Sequence, residues 1–225
     1  HVHLEATMPR ILQLMKQGEN VCYAGFFKTP EREKFVVFST PNLFNYMGVL
    51  VVSKESKSSL FGNKKELPLS TLINQPSLKL GLTMGRSYGT VIDKILGEDK
   101  DNSQNIIFRS GDDSLTGLLE MLANGRIQYT IGFPWEFPYV AKQMGRENQF
   151  SSIYIKEGKE TRWIKNYIGC PKNAWGREVI GKINNVLAST MLKEEHMHCQ
   201  LKWFPEEIHD DIRKAVKRHL LEKKK

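Results

Sequence analysis

The chain has 225 residues, of which 40% are hydrophobic and 26% charged, and its formal net charge is +8. This is a globular composition with ample core for one large domain or two small ones, free of low-complexity tracts and of a clear internal repeat. Every apolar run is shorter than the ~20 residues that a membrane-spanning helix needs.

Read from the start, the chain opens at His1 without a Met and a basic n-region, as a mature or trimmed secreted protein, or a fragment, would. Met8-Pro-Arg-Ile-Leu-Gln-Leu-Met-Lys16 places a proline early and apolar residues at helical spacing, and Gln17-Gly18 supplies a stop, which predicts a helix. Val21-Cys22-Tyr23-Ala24 is a short apolar strand running into Gly25. The turn after it presents Lys28, Thr29, Pro30, Glu31 and Arg32, and a second apolar run over 35–38 is expected to stop at Ser39-Thr40-Pro41. A glycine lets backbone approach a ligand closely. An arginine on a proline-stiffened turn is a planar, always-charged fork suited to a carboxylate. The same residues also read as a plain strand–turn–strand corner with a solvated Arg32.

Residues 44–53 read as one strand containing Gly48, and the serine-rich stretch 54–65 as a loop. A strand over 78–82 then enters Met84-Gly85-Arg86-Ser87-Tyr88-Gly89, and a helix is expected over 90–96. A strand, a glycine-flanked turn and a helix start together leave backbone N–H groups directed outward, a natural anion site, although a tight βα turn needs the same glycines. Further elements are a strand over 106–109, a helix over 113–122 with an Asp or Ser cap, and a strand over 127–133 after Asn124-Gly125-Arg126. Phe133-Pro134-Trp135-Glu136-Phe137-Pro138-Tyr139 packs four aromatics into seven residues. It reads either as an aromatic wall for a ring-bearing, sugar-like or cationic ligand or as a loop packed on its own lobe; Phe137 is expected in the core. Strands over 151–155 and 163–170 come next, and then a helix over 175–187 with Val179, Ile183, Val186 and Leu187 on one face.

Lys and Arg are densest at Arg213, Lys214, Lys217, Arg218 and 223–225, alternating with Ile212, Val216, Leu220 and Leu221. This is the solvated face of a terminal amphipathic helix. Without a groove-entering or stacking motif, nucleic acid is not an expected partner, while a basic surface would gather an anionic ligand. Cys22, Cys170 and Cys199 cannot all pair within one chain. Buried free thiols are the ordinary reading for Cys22 and Cys170, and a single disulfide of undetermined pairing is the alternative. His196, His198 and Cys199 are read as surface residues, because rings two apart on a helix do not share a face. No cofactor or metal is expected. With no nucleophile–base pair or paired carboxylates in its motifs, the chain is not expected to be an enzyme.

The motif Gly25-x-x-x-Thr29-x-Glu31-Arg32, the apolar run after it and Phe38-Ser39-x-Pro41 resemble the first-lobe signature of family 3 extracellular solute-binding proteins. These are the polar amino-acid receptors of ABC transporters. The resemblance implies an α/β, two-lobed, type II periplasmic-binding-protein-like fold with a hinge, whose first strand and helix of lobe 1 are missing from this sequence. Lobe 1 would comprise residues 1–51 and 168–225, and lobe 2 residues 52–167. It further implies a short helix at Leu67-Pro68-Leu69-Ser70-Thr71-Leu72 and a terminal aromatic anchor at Trp203-Phe204-Pro205. Carried over by position, Arg32 grips a carboxylate, Ala24 and Gly25 offer main-chain contacts, Arg86 and Ser87 meet the same group from lobe 2, and Tyr88 lines the wall. Phe27 stands where the family often has a hydroxyl, and Gly132-Phe133 where it has an acid; Phe133 and Trp135 join Phe27 among the implied ligand contacts. The implied function is a monomeric periplasmic receptor that captures a small anionic or aromatic, amino-acid-like solute in the interlobe cleft. It would deliver that solute to a transporter permease or, alternatively, report it to a membrane sensor.

Overall fold

The computed structural model describes residues 3–97, 104–111, 113–158, 163–202, 204, 206 and 209–222. In chain order the elements are α1 (Met8–Lys16), β1 (Tyr23–Phe26), α2 (Pro30–Glu33), β2 (Val36–Tyr46), β3 (Val49–Ser53), α3 (Lys54–Ser59) and β4 (Glu66–Leu67). Next are α4 (Leu69–Leu72), β5 (Leu80–Thr83), α5 (Thr90–Leu96), β6 (Ile106–Arg109), α6 (Ser114–Ala123), β7 (Tyr129–Gly132) and α7 (Glu136–Gln143). The chain closes with β8 (Phe150–Ile155), a 3-10 turn (Lys156–Gly158), β9 (Trp163–Pro171), α8 (Ala174–Thr190), α9 (Glu194–Leu201) and α10 (His209–Glu222). Among the described residues no helix is long and apolar enough to cross a membrane.

Two compact units divide the chain. The first comprises His1–Pro9 and Tyr46–Arg162, the second Arg10–Asn45 and Trp163–Lys225. The first unit carries a six-stranded sheet in the order β4-β8-β3-β7-β5-β6. β5 runs parallel to both β6 and β7, and β3 runs antiparallel to β7 and β8. Helix α6 covers this sheet because Leu115, Leu118, Leu119 and Leu122 recur at helical spacing; they pack with Val49, Val51, Ile127 and Phe137. Helix and sheet lie so close that a Cβ on Gly81 would stand 2.6 Å from both Leu118 and Ile127. The expected core position of Phe137 is borne out.

The second unit is built on a three-stranded sheet in the order β1-β9-β2. Pro41 does not end the second strand, as its place in the sequence suggests; β2 continues through it to Tyr46. β2 is an edge strand of its sheet, and an edge can accommodate a residue without an N–H. The single strand expected over 44–53 is two strands, β2 and β3, with Met47-Gly48 between them. Stretch 54–65 is not all loop: the Ser53 hydroxyl accepts the Ser56 N–H at 3.0 Å and starts α3. Helix α8 buries Gly176, Ile180 and Leu187, whereas Val186, expected on its inner face, is 59% exposed. In α10 Ile212 and Val216 are fully buried, as an amphipathic terminal helix requires. Trp203, Pro205 and Lys223–Lys225 lie outside the described residues, as do the side chains of Leu220 and Leu221; Phe204 is buried.

Cys22 and Cys170 are joined in a disulfide, not held as free thiols, and Cys199 is free and exposed. The register explains the pairing: β1 and β9 are antiparallel with Tyr23 opposite Gly169, which sets the preceding Cys22 against Cys170. The bond closes a loop of 148 residues in sequence, and such long closures typically contribute about 2–4 kcal/mol. Thiol titration of the oxidised, denatured chain is expected to find Cys199 alone, and all three cysteines after reduction. Serine at both Cys22 and Cys170 should lower the urea midpoint by the equivalent of about 2–5 kcal/mol.

A second long-range staple is electrostatic. Pro68, at the start of α4, has no side chain to cap it. The Glu157 carboxylate does so instead, accepting from the Leu69 N–H (3.0 Å), the Ser70 N–H (2.9 Å) and the Ser70 hydroxyl (2.7 Å). Burial pushes this carboxyl upward, but the hydrogen bonds from Ser70 and Leu69 outweigh burial and leave its pKa below the ordinary glutamate value. A depressed folded-state pKa gives stability that is present above the unfolded pKa and lost as pH falls through the folded one. Glu157→Ala is therefore expected to cost about 1 kcal/mol at neutral pH, after allowance for solvent screening. The gap to wild type should close as denaturation curves are taken to progressively acid pH.

Candidate functional site

In the second unit the chain narrows onto Gly25. The β1–β9 register slips between Ala24 and Phe26, a bulge centred on Gly25 with φ +150. That conformation disfavours side chains, and a bulge re-aims the strand that carries it. The Gly25 carbonyl accepts from Asn166 Nδ2 at 3.1 Å, and Asn166 Oδ1 accepts from Asn45 Nδ2 at 2.8 Å. Both asparagines are buried, so the relay holds the glycine from the neighbouring β9, with β2 behind it.

Immediately downstream, Thr29 caps the single turn α2, its hydroxyl accepting the Arg32 N–H, with Pro30 at the first helical position. This brings Arg32 inward. It is only 7% exposed, its Nη1 donates to the Phe27 carbonyl at 2.9 Å, and its guanidinium lies over the Phe26 ring at 5.1 Å. The solvated-corner reading is thereby corrected: the turn's own cap and the aromatic ring draw Arg32 out of water. Phe27 is buried, Ala24 exposed and Gly25 half-buried.

In the first unit the candidate residues collect at the carboxyl ends of two neighbouring parallel strands, β5 and β7. Open α/β sheets place ligands at such strand ends. The turn after β5 is bounded by Gly85 and Gly89, both at positive φ. Asp93, in the first turn of α5, accepts the Tyr88 N–H at 2.9 Å and the Ser87 hydroxyl, and the Ser87 hydroxyl in turn accepts the Gly89 N–H at 3.3 Å. Donors expected to meet a ligand anion are thus held by Asp93. Sequence reasoning missed that residue, although an acid in a helix's first turn is its signal. Tyr88 is buried, and its hydroxyl accepts the Thr83 N–H at 2.9 Å. Burial raises its pKa, with Arg86 and the Thr83 hydrogen bonds opposing, so the phenol stays neutral.

Arg86 leaves this turn and meets Glu136, the first residue of α7. One guanidinium nitrogen, Nη2, reaches both carboxylate oxygens, at 2.7 and 2.9 Å. The guanidinium also lies over the Phe133 ring at 5.0 Å and the Tyr88 ring at 5.7 Å. Phe133 stacks on Trp135, with centroids 6.2 Å apart and planes 12° off parallel. Trp135 Nε1 is shielded from solvent with no hydrogen-bond partner. The geometry therefore gathers Arg86, Tyr88, Phe133 and Trp135 and adds Glu136. Glu136 is out of register when counted along the strand, yet it arrives because Pro134 and Trp135 turn the chain into α7. Among the described residues no group of three His, Cys, Asp or Glu side chains is placed to hold a metal ion.

No family model matches the sequence, and no curated protein sequence matches it. Solved structures do. A Salmonella typhimurium periplasmic binding protein with high arginine specificity aligns at TM-score 0.62 and 20% identity, over 90% of this chain and 80% of its own. An ancestral arginine-binding protein bound to glutamine aligns at 0.66 and 19%, over 91% and 80%. A histidine kinase sensor domain with similarity to periplasmic binding proteins aligns at 0.63 and 14%, over 87% and 75%. The chain has the periplasmic-binding-protein fold. In that fold the β5 and β7 strand ends of this chain carry the Arg86–Glu136 cluster, and the bulged β1 carries Gly25.

The Asn relay behind Gly25 makes a direct demand on stability. Asn166→Ala leaves the Gly25 carbonyl and Asn45 Nδ2 without these partners, a loss expected to cost about 1–3 kcal/mol. Adding Asn45→Ala should cost markedly less than its own single-mutant value, because the two act through one network. Urea unfolding of the singles and the double measures both.

Proposed function

We propose that the chain is a non-catalytic solute receptor of the periplasm, which captures a small anionic or aromatic, amino-acid-like solute. The observation that carries this reading is Arg32: a guanidinium held nearly out of water on a capped turn, beside a bulged glycine, in a binding-protein fold. A charge so desolvated interacts strongly with an anion brought to it. Ala24 and Gly25 are assigned main-chain contacts and Phe27 part of the wall. In the first unit Arg86, Ser87 and Tyr88 are assigned to the β5 turn's grip, and Phe133 and Trp135 to the aromatic surface. In this reading the lobes expected at 1–51 with 168–225 and at 52–167 are matched to the second and first units, which differ from them at residues 1–9, 46–51 and 163–167.

The disulfide supports an oxidising compartment, and the basic balance of the chain would draw in anions. Once a solute is captured, delivery to a transporter permease is the first reading of its fate. Reporting to a membrane sensor is the second, supported by the alignment with a histidine kinase sensor domain.

The test is a thermal-shift screen of amino acids, aromatic acids, polyamines and sugars on wild type, Arg32→Ala and Arg32→Lys. Arg32→Ala is expected to weaken the best probe by roughly 10–100-fold while the unliganded fold survives. Arg32→Lys keeps the charge but loses the planar fork, and is expected to recover part of the affinity. Binding by Arg32→Ala equal to wild type overturns the assignment of the anion grip.

A further inference from the structure

Arg86 occupies the kind of place a ligand cation would take. Its guanidinium rests on Phe133 and Tyr88 and is held by both oxygens of Glu136. A carboxylate beside stacked aromatic faces is a recognition surface for cations in general. The surface stands at the carboxyl ends of β5 and β7, where this class of sheet binds ligands. The rings beneath are rigid: Tyr88 and Phe133 are almost fully buried, and Phe133 is backed by Trp135. The two charged partners are the accessible part, with side chains 22% and 19% exposed. Both Glu136 oxygens converge on a single guanidinium nitrogen, a geometry that an ammonium, with its three donors on one atom, can reproduce as well as a guanidinium can.

We propose that Glu136, Phe133 and Tyr88 form a cation site for guanidinium or primary ammonium groups, filled in this structure by the side chain of Arg86. A solute bearing such a group takes Arg86's place on the aromatic faces and on Glu136, and the released guanidinium is then available to the solute's anionic end. The solute class implied carries both charges, an anion and a flat or compact cation. This last step rests on the receptor reading; the cation site itself does not.

Methylguanidine and agmatine probe the site directly, with urea as the uncharged counterpart of the same planar shape. In Arg86→Ala both cations are expected to raise the melting temperature at millimolar concentration, and to bind at least about 10-fold more tightly than to wild type, where Arg86 competes. Glu136→Gln added to Arg86→Ala should abolish the response, and urea should give none. Equal response in wild type and Arg86→Ala, no response in either, or a response matched by urea overturns the proposal. If Arg86→Ala does not fold, Arg86→Met keeps an apolar stem over Phe133 and serves the same comparison. Failure of both variants to fold also overturns it, since a displaceable occupant cannot be a pillar of the structure. Rescue by methylguanidine without any solute response in wild type keeps this site and removes the receptor reading. Solute response without rescue does the reverse.

Discussion

A guanidinium cannot leave water without acceptors or a counter-charge, and both units are shaped around that demand. In the second unit, the backbone supplies the answer for Arg32: α2 is one turn long, capped by Thr29, and delivers the side chain onto Phe26 and the Phe27 carbonyl. In the first unit, the answer for Arg86 comes from another element, since Glu136 starts α7 and Phe133 ends the approach from β7. The local folds differ, yet each places an arginine over an aromatic face just past a strand end. Elsewhere the same need produces the Glu157 cap on α4, with the charges reversed: a carboxylate takes up orphan N–H groups that Pro68 leaves without a cap.

The second unit draws its chain from two segments, on either side of the first unit's long segment Tyr46–Arg162. Its sheet must therefore join strands distant along the chain, at a high entropic cost of closure. Two devices offset that cost at the same strands. Cys22–Cys170 ties the start of β1 to the end of β9 covalently, and Asn45–Asn166 with Gly25 ties β2, β9 and β1 by hydrogen bonds. β9 is central to both and sits between β1 and β2. A bulge at Gly25 is tolerable because its carbonyl is held from the neighbouring strand.

Local signals in the sequence located local structure. Pro9 and Gly18 bracket α1, the apolar run at 106–109 is β6, and the Gly85–Gly89 turn follows its strand as expected. Misreadings arose where distance in sequence decided the outcome. Pro41 looks like a stop until β2 is known to be an edge strand, and Cys22 looks like an ordinary buried thiol until the β1–β9 register places Cys170 opposite it. Val186 has the right periodicity for the inner face of α8, but that face is fixed by the close approach of Gly176 to Pro171. At the site, Arg32, Arg86, Phe133 and Trp135 were legible from motif and composition. Glu136 was legible only as a carboxylate off register beside the aromatics, and Asp93 not at all, because each acts through a partner elsewhere along the chain.

The two arginines also differ in a way that bears on what each can do. Arg32 is nearly sealed, and two of the groups that hold it, the Phe27 carbonyl and the Phe26 ring, lie within six residues of it along the chain. Arg86 is partly open to solvent, and its counter-charge lies fifty residues away on the first turn of another helix. The Asp93-braced turn, the Tyr88 hydrogen bond and the Phe133–Trp135 stack are contacts in which the Arg86 guanidinium takes no part. A fixed charge suits a permanent grip. A charge that can leave without disturbing its own support suits exchange, and the carboxylate and rings it would uncover are already aligned for another cation.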